Sequence, residues 1–208
     1  KYLLYKRYNW MNYYIDKNKY TVELGAGAGL SKFFINEKII LTDIVKRKYI
    51  DKKIDALNID IPDNSVDIFI CTHMIHHLAK PMLFLKNIEK KLVPGGLILI
   101  HETNTSIIMR LIMMFLKHEG FSYKIDVFDE NIICNDPSDP WSANCAIPDM
   151  LFSDKTKFEK NLPLKIILNE LNEFLILPLS GGVIAKANTI NLPYWILKIV
   201  DIFDQLMI

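Results

Sequence analysis

Glycines occupy every second position from Gly25 to Gly29, directly after the apolar run Val22-Glu23-Leu24. Such a turn lets backbone amides approach a bulky ligand where a Cβ would collide, and the helix it opens points its first amides into the same crevice. The pattern predicts a nucleotide-like cofactor site; a tight strand-to-helix turn without a ligand is the alternative. Dinucleotide folds ask for GxGxxG, and the third glycine would stand at Leu30, which disfavours NAD and FAD. About twenty residues on, Asp43 closes a second apolar run. Its carboxylate can accept from both hydroxyls of a ribose, or it can cap a strand end. His73, His76 and His77 lie within five residues. No carboxylate stands in that run as it does in HExxH, so the sequence predicts no metal site there.

These residues need elements to hold them. Lys1 to Tyr14 reads as an amphipathic opening helix, followed by a polar break at Asp16 to Lys19 and a strand at Tyr20 to Leu24. Further strands are expected at Ile39 to Thr42, Ile54 to Leu57, Val66 to Cys71 and Leu97 to Ile100, the last buried on both faces. Pro62-Asp63-Asn64-Ser65 is a turn, and Pro81 suits the first turn of a helix. Phe84, Leu85, Ile88 and Leu92 give that helix a buried face, and Pro94-Gly95-Gly96 stops it. Alternation of this kind predicts an α/β fold, a doubly wound, mostly parallel sheet flanked by helices. Every candidate site residue then falls at the carboxyl end of a strand, where open α/β sheets bind ligands.

After Glu102 the regularity fails. Residues 103–163 contain an apolar helix at Ile107 to Leu116 and the turn-rich Asp136-Pro137-Ser138-Asp139-Pro140-Trp141. A stretch this long without regular alternation is usually functional, and we read it as a lid or acceptor-binding insertion over the strand ends. The chain is thus expected to be one domain, with a cofactor-binding core at 1–102, the insertion at 103–163 and a terminal strand and helix at 164–208. That terminal part holds a strand at Leu164 to Leu171 and a helix at Tyr194 to Met207, with Ile196, Ile199, Val200 and Phe203 on one face.

Composition narrows the partners. At 208 residues and net charge +1, the chain buries a full core and has no field to draw nucleic acid. Its longest apolar runs, Ile107 to Leu116 and Phe174 to Ala185, are interrupted and too short for a bilayer. No signal peptide is visible, although the chain begins at Lys1 rather than Met. Cys71, Cys134 and Cys145 are scattered, which suits a reducing, cytoplasmic setting and argues against zinc or a disulfide frame.

The run Glu23 to Gly29, ExGxGxG, resembles motif I of the class I methyltransferases that use S-adenosylmethionine. Asp55-Ala56 before Pro62-Asp63-Asn64-Ser65 resembles their adenine-binding segment, with Asp60 a competing acid. Cys71-Thr72-His73-Met74-Ile75-His76-His77-Leu78 and Pro94-Gly95-Gly96 resemble the post-strand-four CSxxLHHL and the LxPGG turn of the type 11 family. The likeness covers Tyr20 to Glu102. Ser142 to Pro148 and Ser180-Gly181-Gly182 look like the tail of bacterial members found with surface-polysaccharide biosynthesis.

The resemblance implies strand order 3-2-1-4-5-7-6, although a seventh strand is not evident unless Phe174 to Leu177 or residues beyond the chain supply it. It implies S-adenosylmethionine as cofactor, held by Glu23, Gly25, Ala26, Gly27, Asp43, Ile44, Asp55, Ala56, Cys71 and His76. His76 is the first candidate base, with His77, His101 and His118 behind it and Glu102 to orient acceptor or histidine. Packed histidines and a solvated Glu102 are the plainer alternatives. Where nucleic-acid amino methyltransferases carry [DN]PP[YFW], this chain has Cys71 to Met74, so a small-molecule acceptor is expected. Ile107, Ile108, Leu111, Ile112, Met114 and Phe115 would suit a lipid-linked sugar or quinone-like acceptor near a membrane surface, or simply pack on the sheet. A non-catalytic binding subunit and an NAD or nucleotide-sugar oxidoreductase are the competing readings.

Overall fold

Short apolar runs bounded by turn residues become the strands. The structure, a computed structural model, describes residues 2–116, 119–173, 175–180, 190 and 192–206. Helix α1 (Tyr2–Asn9) runs into a single tight turn at Trp10–Tyr13 and leads to β1 (Thr21–Leu24). Strands β2 (Ile40–Asp43), β3 (Lys52–Lys53) and β4 (Val66–Thr72) follow, then α2 (Pro81–Lys91) and β5 (Leu92–His101). They form one parallel sheet in the order β3-β2-β1-β4-β5. These are the first five of the seven strands in the expected methyltransferase order: β1 lies at the centre and the chain winds outward from it in both directions.

The central strands are buried on both faces and send alternate residues to opposite sides. Phe69 and Cys71 of β4 pack with Phe84, Leu85 and Ile88 of α2 on one side. Ile68 and Ile70 pack with Tyr8, Met11 and Ile15 on the other. Helical structure on both faces is what makes the sheet doubly wound.

Three expectations are corrected. The third strand falls at Lys52–Lys53, not Ile54 to Leu57; Ile54 turns its side chain into the core while only the two lysines reach the ladder of β2. Strand β5 starts at Leu92 and passes through Pro94-Gly95-Gly96, with a register irregularity opposite Val66 and Ile68. Along it only Leu92 and Leu99 are fully buried, because β5 is the edge of the sheet among the described residues. Among the described residues Leu164 to Leu171 pairs with no strand; of the expected run Phe174 to Leu177, Phe174 lies outside the described residues and Ile176 and Leu177 belong to a helical turn at Ile176–Leu179.

After β5 come α3 (Ile107–Leu116), α4 (Ile147–Phe152), α5 (Lys155–Asn161), the turn α6 (Ile176–Leu179) and α7 (Tyr194–Leu206). On α3, Ile107, Leu111 and Met114 are exposed while Met109 packs inward, so these three do not cover the sheet. The side chains of Ile108, Ile112 and Phe115 lie outside the described residues. The buried line of α7 is Leu197 and Asp204 with half-buried Val200, not the expected face, since Ile199 and Phe203 are exposed. Asp204 explains the choice: its carboxylate accepts from the amides of Leu175 and Ile176 at 2.8 and 3.0 Å and ties α7 to α6.

Two buried carboxylates make the fold testable. Arg7 of α1 donates through Nε to both oxygens of Glu173 at 3.0 Å and through Nη2 at 2.6 Å, with both side chains buried. Replacing Arg7 with Leu strands a buried acid and should cost about 3–5 kcal/mol in urea denaturation. Glu23 of β1 is buried beneath the glycine turn and bonded by the Ser31 hydroxyl; burial raises its pKa to about 7, against the Ser31 bond and with help from Asp43. An acid whose folded pKa exceeds its unfolded value adds stability that is full below the unfolded pKa and lost as pH rises through the folded one. Glu23→Gln should therefore match the natural protein near pH 4.5 and exceed it above pH 7, as read by paired denaturation curves. Equal pH profiles for the two proteins would show that Glu23 ionises without penalty.

Candidate active site

The glycine turn leaves β1 and is held from beneath by β2. Ala26 N donates to the Thr42 carbonyl at 2.8 Å, and Gly27 N to Asp43 Oδ2 at 2.8 Å. The other Asp43 oxygen accepts from Val45 N at 2.8 Å. Arg47 adds a bond from its guanidinium to the Gly27 carbonyl at 2.9 Å. Asp43 is thus 8% exposed and braces the turn, rather than standing free at a solvent-facing strand end; each of its oxygens keeps a lone pair for a further donor.

All three glycines of the turn have positive φ, +67°, +52° and +64° at Gly25, Gly27 and Gly29. They need that freedom for different reasons. A Cβ on Gly25 would strike the Met74 side chain at 2.8 Å, and one on Gly29 would strike Tyr49 at 2.9 Å. A Cβ on Gly27 would meet nothing nearer than the Gly25 carbonyl oxygen at 3.9 Å. The space over Gly27 is open, which is the shape of a cradle for a ligand that approaches the backbone closely. An S-adenosyl group fits this donor set: free space over Gly27, an anionic acceptor at Asp43, and exposed Ile44 and Asp55 at the ends of the neighbouring strands.

The other predicted cofactor residues are placed unevenly. Asp55 is exposed and accepts from Leu57 N at 2.8 Å, and Ala56 is buried beside it. Glu23 lies under the turn, out of contact with its open side. The Cys71 side chain is fully buried in the core, where burial pushes its thiol pKa well up, so only its backbone is left for a ligand.

Past β4 the chain turns sharply. His73 takes a left-handed conformation, φ +52°, its amide bonded to the His101 carbonyl at 2.8 Å. Its buried Nε2 and the neighbouring Thr72 hydroxyl have no hydrogen-bond partner among the described residues. Burial, assisted by Arg7 and the other histidines, holds its pKa well below the usual histidine range.

Glu102, at the end of β5, accepts from the amides of Met74 and Ile75 at 2.8 and 2.5 Å and stands 2.6 Å from His76 Nδ1. It is buried and bonded, not a solvated strand-end acid. Burial opposes a charge on His76, but Glu102 and Glu119 outweigh it and raise its pKa to about 10. Burial likewise raises Glu102 and is overcome by His76 and the two amides, which bring it below the usual range. Hydrogen bonding to His76 takes Glu119 down to about 2. His77 is less buried, donates from Nδ1 to the Ser142 carbonyl at 3.1 Å, and its pKa is lowered by burial and by His76. His101 is drawn to Glu173 at 3.4 Å, and His118 lies outside the described residues.

The histidine run is covered by the segment after α3. Asn144 N and Asn135 Nδ2 both donate to the His76 carbonyl at 2.9 Å, Asn135 reaches the Leu78 carbonyl as well, and Cys134 N donates to Ala79. Asn144 is therefore buried and structural, its side chain spent on Ser122 and Ala146, while Trp141 is 71% exposed. Glu119 belongs to this segment, and no spacing in the sequence ties it to His76, forty-three positions earlier. The carboxylates that the histidine run lacks in sequence are thus supplied in space by Glu102 and Glu119. A groove of about 1700 Å³ runs along the free edge of β5 and reaches His101, Glu102 and Thr103; it does not lie over the glycine turn.

Residues 22–100 match the Methyltransf_11 family model, described as a methyltransferase domain. No curated protein matches the chain. Among solved structures, a SAM-dependent methyltransferase from Aquifex aeolicus is 18% identical with a TM-score of 0.41, over 50% of this chain and 68% of its own. The YcgJ protein from Bacillus subtilis is 16% identical at 0.44, over 54% of this chain and 58% of its own. The methyltransferase CalH, solved with SAH, is 17% identical at 0.38, over 49% and 40%. At these scores the likenesses carry no functional weight, and the chain spans only about half of several of these proteins. The matched model is a methyltransferase domain, and the glycine turn within it is open at Gly27 and braced by Asp43. Residues 22–100 of this chain are thus similar to the type 11 methyltransferase domain, and the strand order β3-β2-β1-β4-β5 is that of the Rossmann-like methyltransferase fold.

Proposed function

We propose that the chain transfers a methyl group from S-adenosylmethionine to a small-molecule acceptor, of the sugar or lipid-linked sugar class. The observation that carries this reading is the glycine turn, open above Gly27 and braced by Asp43 at the carboxyl end of a parallel sheet. The cofactor, when bound, supplies a methyl group on a sulfonium. The chain holds the adenosine side through Gly25, Ala26, Gly27, Asp43, Ile44, Asp55 and Ala56, and the covering segment excludes water from the strand ends. His76, buried between Glu102 and Glu119, donates through Nδ1 to Glu102 and stands just past β4, where an acceptor would meet the methyl group. Glu102 fixes its orientation.

The acceptor class is argued from the surface that surrounds these groups. Ile107, Leu111 and Met114 present an exposed apolar face beside polar Asn104, Thr105 and Arg110, a combination that suits a molecule with one oily and one hydroxylated part. Among the described residues no helix is long and apolar enough to cross a membrane, so any membrane contact would be peripheral.

Ligand-dependent unfolding tests the cofactor. S-adenosylmethionine and S-adenosylhomocysteine at a hundred times their dissociation constants should each stabilise the protein by about 2.7 kcal/mol, and NAD should do nothing. Gly27→Val should abolish that stabilisation by filling the open side of the turn; a variant that still binds both ligands would place the cofactor elsewhere. Trp141→Ala should leave cofactor affinity unchanged, because the side chain is exposed, while lowering methyl transfer to lipid-linked or free sugars. Parallel loss of binding and turnover would mean that this tract only supports the fold.

A further inference from the structure

Three side chains converge beside the strand ends: His76, His77 and Glu119 each offer one metal-ligating atom, all within 4.8 Å of one another, and both Nε2 atoms face the Glu119 carboxylate. Each imidazole is oriented through its other nitrogen. His76 Nδ1 faces Glu102 at 2.6 Å, and His77 Nδ1 faces the Ser142 carbonyl oxygen at 3.1 Å. Both partners are acceptors, so Nδ1 carries the hydrogen in each ring and Nε2 is left to present a lone pair. Two lone pairs and a carboxylate that face one another attract a cation.

Distance separates the two cations that could serve, a proton on His76 and a metal ion. His76 Nε2 stands 3.4 Å from Glu119 Oε2, and His77 Nε2 stands 4.0 Å from Oε1. A charge-assisted N–H to carboxylate bond is shorter, about 2.7–2.9 Å. Two ligands each about 2.0–2.2 Å from a tetrahedral zinc lie roughly 3.3–3.6 Å apart, which is the His76–Glu119 spacing. The 2.6 Å contact of His76 with Glu102 is, by contrast, of hydrogen-bond length and supplies the carboxylate support that metal-bound imidazoles usually have. Glu119 is supported in turn by the Cys145 thiol, which donates to Oε2 at 3.4 Å. The side chains of Glu119 and His77 are partly exposed, so an ion has a way in and would keep open positions toward solvent.

We propose that His76, His77 and Glu119 form a binding site for a divalent transition metal of the zinc class. Two histidines and one carboxylate are a donor set for zinc, cobalt(II) or iron(II), and oxygen-only sites for magnesium or calcium differ from it in kind. What the metal would do rests on the methyltransferase reading: an ion with open positions at the strand ends would bind an acceptor hydroxyl and acidify it. Metal binding itself stands apart from that reading.

The test uses the tag-free chain, stripped by a chelator and titrated with cobalt(II) and zinc(II). One equivalent of cobalt should bind with the visible absorption of a low-coordinate site, and zinc should displace it. His77→Ala and Glu119→Gln should each weaken binding at least a hundredfold, and Glu102→Gln, a supporting change, tenfold to a hundredfold. Circular dichroism shows which variants fold, and the titration of the natural chain decides the matter if they do not. Absence of a stoichiometric metal in the natural chain, or folded His77 and Glu119 variants that bind as it does, would overturn the site and leave a proton in its place. S-adenosylhomocysteine calorimetry on the stripped protein separates the two readings. Cofactor binding without metal binding overturns this site alone; metal binding without cofactor binding supports the site and overturns the methyltransferase reading.

Discussion

Parallel strands that stop at one edge of a sheet leave backbone amides with no ladder partner, and the architecture of this protein follows from how those amides are satisfied. Two carboxylates do most of it. Asp43 at the end of β2 takes the amides of Gly27 and Val45; Glu102 at the end of β5 takes those of Met74 and Ile75. Each closes a loop from a neighbouring strand, and in doing so turns that loop into half of the site. The cofactor cradle and the histidine run are therefore products of the same device, applied on either side of β1 and β4. Removing either acid would release a loop before it removed any chemical group.

The sequence made the centre of this sheet legible and left its margins obscure. Strands β1, β2 and β4 are apolar because they are buried on both faces, so hydropathy finds them within a residue or two. Lys52 and Lys53 form a strand through backbone bonds alone, and nothing in their side chains announces it. Leu164 to Leu171 shows the opposite case: its apolar residues suit a strand, but apolar side chains do not by themselves provide a ladder, and among the described residues the segment lines the groove without a strand partner.

The site divides along the same line. Glycines, Asp43, His76 and Glu102 are marked by position at strand ends, and the structure brings His76 and Glu102 together as their placement suggests. Glu119 and the Arg7–Glu173 pair carry no such mark, because partners forty-three and 166 positions apart are set by tertiary packing and not by any local period. Cys71 had the right address and the wrong direction: residues alternate across a strand, and its turn in the alternation faces the core.

The left-handed His73 has a consequence for how the chain can change over generations. A non-glycine residue at φ +52°, a buried ring nitrogen and the hydroxyl of Thr72, neither with a hydrogen-bond partner among the described residues, meet within two residues at the end of β4. Each of these is unfavourable by itself, and random drift under selection for stability alone would replace His73 with glycine, which adopts that backbone freely. A lineage that keeps histidine there accepts a less stable strand end in exchange for an imidazole at the mouth of the sheet, and must recover the difference by packing elsewhere. The end of β4 is thus the place where gains in robustness and retention of chemistry pull this sequence in opposite directions.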